Sequence, residues 1–186
     1  MTRTTLATAG LIALMSASAL TPLPAQAANR KAWDHGSTAL ALGLGALAAG
    51  STLAKSDAPG AWQLAYTIGS TFLATEALKA AIKEQRPDGS GNDSFPSGHT
   101  SMAFAAATYF NIRYGHEYPQ YVPWVYGAAA LTGVARVEAK KHYAQDVVAG
   151  AALGWVLARY FTTSQDAQVT VAPTADGAAV TFTQHF

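Results

Sequence analysis

Phe95-Pro96-Ser97-Gly98-His99-Thr100 is the stretch on which the reading of this chain turns. It has the form of a helix start: proline suits a first helical turn, where its missing N–H costs nothing. The freed amides of the next residues make an anion cradle, aided by the helix dipole. Gly98 lets backbone approach an oxygen closely, Ser97 adds a hydroxyl donor, and His99 beside them can pass a proton to a leaving oxygen. In isolation the same residues are a Pro-Ser helix cap with an incidental histidine, so their meaning depends on what surrounds them.

Upstream stand Lys79 and Arg86, seven residues apart, about two helical turns and therefore on one face of a continuous helix. Pro87 disfavours helical geometry at Arg86, which places the helix end near Gln85 and frees Arg86 to swing back. Two such cations suit a phosphate, Arg as a bidentate fork and Lys as a point charge. A solvated basic helix terminus explains them equally well when they are taken alone. Downstream, His142 and Asp146 have the i, i+4 spacing of one helical face. The carboxylate can accept from one ring nitrogen and leave the other unprotonated and nucleophilic. A capping Asp beside a surface His is the plainer alternative. Arg136, six residues before His142, ends the preceding helix, and residues 137–141 turn the chain toward His142.

Around these clusters the chain divides into five helix-length segments, residues 37–54, 61–85, 101–114, 122–134 and 147–161, separated by turn-rich breaks and lacking strand-like alternation. The expected fold is an all-α bundle of about five helices. In an up-and-down bundle the ends of helices two and four and the starts of three and five share one rim. All three clusters fall there, and this convergence outweighs the plainer explanation of each. Gln168–Ala172 and Ala179–Thr183, flanking Pro173 to Gly177, read as a short C-terminal β-hairpin.

At 186 residues there is room for one domain. Half the residues are hydrophobic and only 12% are charged, against about a quarter in ordinary soluble domains. A formal charge of +1 excludes the strongly basic surface of a nucleic-acid binder, and the lack of cysteine excludes disulfides and thiolate metal sites. Arg3, the apolar run 6–20 and Ala25-Gln26-Ala27 have the layout of a secretory signal peptide. Residues 1–27 are read as that signal, the alternative being an uncleaved first membrane helix. Residues 28–163 form the helical domain and 164–186 a tail. Removing the signal removes Arg3 and leaves a formally neutral chain. The first apolar segment approaches the length of a membrane span, and Gly45-x-x-x-Ala49 and Gly150-x-x-x-Gly154 offer small-residue faces for close helix packing. Against a membrane bundle stand Gln63, Glu76 and Lys79 in the second segment and a mean hydropathy of only +0.11. The expectation is a membrane-embedded bundle, with a soluble periplasmic domain as the alternative.

Lys79-x6-Arg86-Pro87, Pro96-Ser97-Gly98-His99 and Arg136-x5-His142-x3-Asp146 resemble the three signature motifs of the type 2 phosphatidic acid phosphatase (PAP2) superfamily, which includes bacterial class A acid phosphatases and vanadium haloperoxidases. The resemblance covers residues 61–161. It implies a metal-independent, cofactor-free phosphatase working through a phosphohistidine. His142 would be the nucleophile, Asp146 its orienting partner and His99 the acid, with Lys79, Arg86, Ser97, Gly98 and Arg136 binding the substrate phosphate. One departure is Ala135, where the family usually has serine; the missing hydrogen bond is worth about 0.5–1.5 kcal/mol and would slow catalysis without abolishing it. The partner implied is a phosphorylated lipid or small phosphate ester, handled at an inner membrane with a periplasm-facing site or within the periplasm. Haloperoxidase chemistry and non-catalytic phosphate or lipid binding remain alternatives. Substrate and oligomeric state are not legible.

Overall fold

Helix α3 (Gly98–Tyr114) is the axle of the bundle and packs against the other four helices in the computed structural model. The structure describes residues 23–165, 168–174 and 177–183. Most of the signal expected at residues 1–27 lies outside them. The other helices are α1 (Leu23–Ala54), α2 (Ala58–Ala81), α4 (Val122–Glu138) and α5 (Ala144–Phe161), with a 3-10 turn at Pro119–Tyr121 leading into α4. Their order is up-and-down, so the end of α2, the start of α3, the end of α4 and the start of α5 share one rim. Strands β1 (Gln168–Thr174) and β2 (Gly177–Thr183) pair antiparallel in register Gln168 to Thr183 through Thr174 to Gly177.

Alanines make α3 central. Ala103, Ala105, Ala106 and Ala107 are all buried, and their small side chains let neighbouring helices approach. α5 answers with glycines: a Cβ at Gly154 would stand 2.0 Å from the Ser101 carbonyl oxygen, and one at Gly150 2.6 Å from that of Ser97. The Gly150-x-x-x-Gly154 face is therefore a helix contact. Gly45-x-x-x-Ala49 is not. Nothing lies within 4 Å of a Cβ at Gly45, and both residues line a cavity between α1 and α2. α2 turns Thr67, Thr71 and Thr75 inward, where Thr67 meets Thr162 at 3.1 Å and Thr75 meets Ser101 at 2.9 Å. That hydroxyl stripe is why the segment reads as mixed in the sequence.

Several helix boundaries differ from expectation, α4 running four residues further and α2, α3 and α5 starting three earlier. α1 begins at Leu23 among the described residues, well ahead of residue 37, and runs unbroken through Ala27. α2 stops at Ala81, not near Gln85. The Ile82 N–H still bonds to the Leu78 carbonyl, but Ile82 is extended, and the Glu84 carbonyl then accepts from the Ser94 amide, closing a loop instead of another helical turn. Among the described residues, one helix segment, Ala27–Ala54, with mean hydropathy 1.4, is long and apolar enough to cross a membrane.

The end of the bundle opposite the rim is fastened by a buried ion pair. Asp57 caps α2 by accepting from the Gly60 N–H at 2.9 Å. Its carboxylate also receives Arg113 at 2.7 and 2.6 Å and the Tyr114 hydroxyl at 3.0 Å. Arg113 spends its remaining Nη1 on the carbonyls of Thr163 and Ser164. One carboxylate thus joins the α1–α2 turn, the end of α3 and the chain leaving α5, and Arg113 holds it below the usual carboxylate range. Removing one partner of such a pair strands the other charge. Asp57→Ala is expected to destabilise the fold by about 3–5 kcal/mol, measured as a lowered melting temperature in detergent; an unchanged melting temperature would contradict this role.

Candidate active site

The rim is assembled by chain reversals. The last turn of α2 presents Lys79. The loop 82–97 folds back on itself through Arg86 N–H to the Gly91 carbonyl and Gly89 N–H to the Arg86 carbonyl, with Gly89 at φ +73°, and this holds Arg86 toward Lys79. α4 runs two residues past Arg136 and ends in a six-to-one closure, Lys141 N–H to the Arg136 carbonyl, with Lys140 in the left-handed region at φ 58°. This turn explains how a spacing of six can still converge: the Arg136 Nη2 stands 3.5 Å from the His142 Nε2.

His142 is almost fully buried, and its Nδ1 lies 2.7 Å from the Ser94 carbonyl oxygen. A carbonyl only accepts, so Nδ1 carries the proton of the neutral ring and Nε2 keeps its lone pair. The sequence assigns this orienting bond to Asp146. The structure corrects that: the Asp146 Oδ2 is 3.7 Å from Nδ1 and instead accepts from the Ser94 hydroxyl at 2.5 Å and the Tyr143 amide at 2.8 Å. Asp146 acts one step back, fixing the residue that holds the histidine. Burial, and after it the Arg136 guanidinium, push the His142 imidazole down to about 3.

Ser97 also departs from expectation. Its hydroxyl pairs with Thr100 at 2.9 Å, its amide donates to the Asp146 carbonyl at 3.0 Å, and its side chain is fully buried off the cavity wall. It supports the helix start and does not offer a donor to the cavity. Pro96 precedes the helix, whose first residue is Gly98. Helix geometry leaves the Gly98 and His99 amides without intrahelical acceptors, and both residues line the cavity. Packing does not demand the glycine: a Cβ at Gly98 would find its nearest neighbour at 3.6 Å.

The three cations are balanced by carboxylates that the sequence reading left out of the site. Asp93 pairs with Arg86 at 2.7 Å and lies 4.0 Å from the Lys79 Nζ, which also donates to the Asp93 main-chain carbonyl. Burial pushes the Asp93 carboxyl up, but Arg86 and Lys79 outweigh it and keep it below the usual range. Asp34, on α1, pairs with the Arg136 Nη1, which Ser37 also approaches at 3.2 Å. Thr38 lies 3.1 Å from the His99 Nε2. Asp34, Ser37 and Thr38 share one face by their i, i+3, i+4 spacing, a signal the sequence holds. Ser94 escapes notice because it acts through its carbonyl, which every residue has. Buried side-chain atoms without a partner are Arg86 Nε, Arg136 Nε and Asp146 Oδ1 among the described residues.

From this rim a cavity of about 1190 Å³ runs between α1 and α2 past Ala41, Gly45, Leu64, Ile68 and Phe72. One end is cationic and the rest is mainly apolar.

A family model described as the PAP2 superfamily matches residues 60–169, more than half the chain, and the protein belongs to that superfamily. Among curated proteins it resembles a lipid A 1-phosphatase from Porphyromonas gingivalis, 48% identical over 42% of this chain and 18% of that protein. A lipid A 1-phosphatase from Helicobacter pylori is 33% identical over 61% of this chain and 62% of that one. The chain thus spans less than two thirds of the length of either relative. Among solved structures, a transmembrane PAP2-type phosphatidylglycerolphosphate phosphatase from Bacillus subtilis is similar with TM-score 0.46 and 24% identity, covering 81% of this chain and 90% of the other.

The tautomer is directly measurable. In phosphate-free buffer at pH 5, ¹⁵N-detected histidine spectra are expected to show His142 neutral with its proton on Nδ1. A His142 imidazolium at that pH, or an Nε2–H tautomer, would contradict the geometry.

Proposed function

We propose that this protein is a phosphatase of lipid phosphates or lipid pyrophosphates that works through a phosphohistidine. The observation that carries the reading is the union of an unprotonated His142 Nε2 with a cationic rim at the mouth of a long apolar cavity. Lys79, Arg86 and Arg136 supply the charge neutralisation that a transferring phosphoryl group needs. The His142 Nε2 lone pair forms the bond to phosphorus while the P–O bond to the alcohol or phosphate leaving group breaks. His99 gives that oxygen its proton. Water then attacks the phosphohistidine, returning its proton to His99, and inorganic phosphate leaves with the His142 ring neutral again.

The apolar cavity favours a lipid over a small ester, since a small ester would leave it empty. About 1190 Å³ exceeds the usual range for a drug-sized ligand, and an acyl chain matches its elongated course. Exposed Trp62, Tyr66, Tyr121, Trp124 and Tyr160 gather at the end of the bundle opposite the rim, while Leu42, Phe72, Leu73 and Leu131 are exposed between the ends. An aromatic belt beside an aliphatic band supports placing the bundle in a bilayer. With an exported N-terminus, the rim on the side where α1 begins would face the periplasm.

The test is phosphate release from phosphatidate, an isoprenoid pyrophosphate, lipid A and p-nitrophenyl phosphate, each with and without EDTA. Turnover of a lipid substrate is expected to survive EDTA and to fall by about 10³-fold or more in His142→Ala. Loss in EDTA, or activity retained without His142, would contradict the mechanism. A second variant tests the cavity. Gly45 has open space beside it, so Gly45→Phe fills the cavity without straining the helix. Excluding two methylenes of an acyl chain costs about tenfold. Long-chain lipid phosphate turnover is expected to drop by that much while p-nitrophenyl phosphate turnover holds; an equal effect on both would argue that the tail does not lie there.

A further inference from the structure

α1 lies before residues 60–169, which carry the family match, and none of the three spaced clusters falls on it. Yet it reaches both functional groups on the near side of the rim, through Asp34 to Arg136 and through Thr38 to His99. We infer that Thr38 is a positioning residue for His99, so that α1 forms part of the catalytic apparatus as well as a wall of the cavity. This rests on the phosphatase reading, in which His99 supplies and recovers the leaving-group proton.

The proton count supports it. The Thr38 hydroxyl has a single hydrogen and stands 3.1 Å from the Asp34 carbonyl oxygen, which can only accept. That oxygen also accepts from the Ser37 hydroxyl at 2.7 Å, and the inference is that it takes the Thr38 proton as well. The Thr38 oxygen then offers a lone pair to the His99 Nε2, also at 3.1 Å, and that contact is a hydrogen bond only when Nε2 carries a proton. Threonine is well suited to the task because its branched β-carbon limits χ1, and the bond back to the helix backbone fixes the rotamer. The acceptor therefore holds the ring in one orientation. It also favours the Nε2–H tautomer when the ring is neutral and the imidazolium when it is charged. With Nε2–H committed to Thr38, Nδ1 is the nitrogen whose proton is given to the leaving oxygen and regained from water. The charged groups facing His99 are Arg136 from α4, Asp34 from α1, Arg86 from the loop and Lys79 from α2, and His142 shares the cavity. Replacing Thr38 changes none of them.

The experiment measures kcat and kcat/KM on dioctanoyl phosphatidate from pH 4 to 9 for the full chain in detergent. Wild type is compared with Thr38→Val and Thr38→Ser, with His142→Ala as the blank. Losing one neutral hydrogen bond is expected to lower kcat by about three- to tenfold. Losing the acceptor also lowers the His99 proton affinity, so the basic limb of the profile moves to lower pH. Thr38→Ser, which keeps the oxygen, is expected to restore both. A Thr38→Val enzyme with wild-type kcat and an unmoved limb overturns the inference, as does a serine variant as slow as the valine one. Thr38→Ala takes the place of valine if that variant does not fold. If wild type releases no phosphate, the phosphatase reading itself fails. The tautomer then decides the contact independently of turnover: ¹⁵N spectra of the resting protein are expected to show His99 as Nε2–H in wild type, and an Nδ1–H tautomer there would overturn the inference.

Discussion

Three cationic side chains, Lys79, Arg86 and Arg136, are held facing one cavity, and the mutual repulsion of these charges is the constraint to which the rest of the rim answers. Near a protein surface, like charges a few ångströms apart repel by several kcal/mol. Asp93 and Asp34 offset that cost, one from the loop 82–97 and one from α1. Both carboxylates are partly exposed, whereas Arg136 is buried, so a phosphate can take over their role where they cannot follow it inward. The resting site is thus balanced by groups that imitate the charge of a bound anion.

Neutrality of His142 follows from the same arrangement. Burial, and after it Arg136 beside Nε2, disfavour a second proton, and the Ser94 carbonyl fixes the first on Nδ1. Asp146 directs its hydrogen bonds to the Ser94 hydroxyl and the Tyr143 amide, with its Oδ2 3.7 Å from the His142 Nδ1. A carboxylate bonded directly to Nδ1 would draw the ring toward imidazolium. At one remove it fixes geometry without raising the proton affinity of the ring as much. The rim is placed by the scaffold: glycine-to-backbone contact between α5 and α3 sets the start of both helices, and the Asp57–Arg113 pair holds the opposite end of the bundle.

The all-α bundle and the convergence of its three clusters were legible because each depends on spacing and on alternation of helix direction, both of which sequence records. Lys79, Arg86, His99, Arg136 and His142 all reach the cavity wall. What was not legible depends on backbone. Ser94 holds His142 with a carbonyl, and α2 ends four residues early because the Ser94 amide bonds to the Glu84 carbonyl. Ser97 was misread because a hydroxyl at a helix start can face the ligand or its own first turn, and spacing does not choose between them. Asp34 and Thr38 were hidden differently, since they stand where a polar stretch passes into an apolar run. Gly45-x-x-x-Ala49 shows that small residues on a helix signal space, and that space can belong to a cavity instead of a neighbouring helix.

The proposed phosphohistidine is tested most directly by rapid acid-free quenching of a single turnover with ³²P-labelled phosphatidate. Peptide mapping of the alkali-stable, acid-labile label is predicted to place the phosphoryl group on Nε2 of His142, with none in His142→Ala. Label on another residue, or an active His142→Ala enzyme, would contradict it.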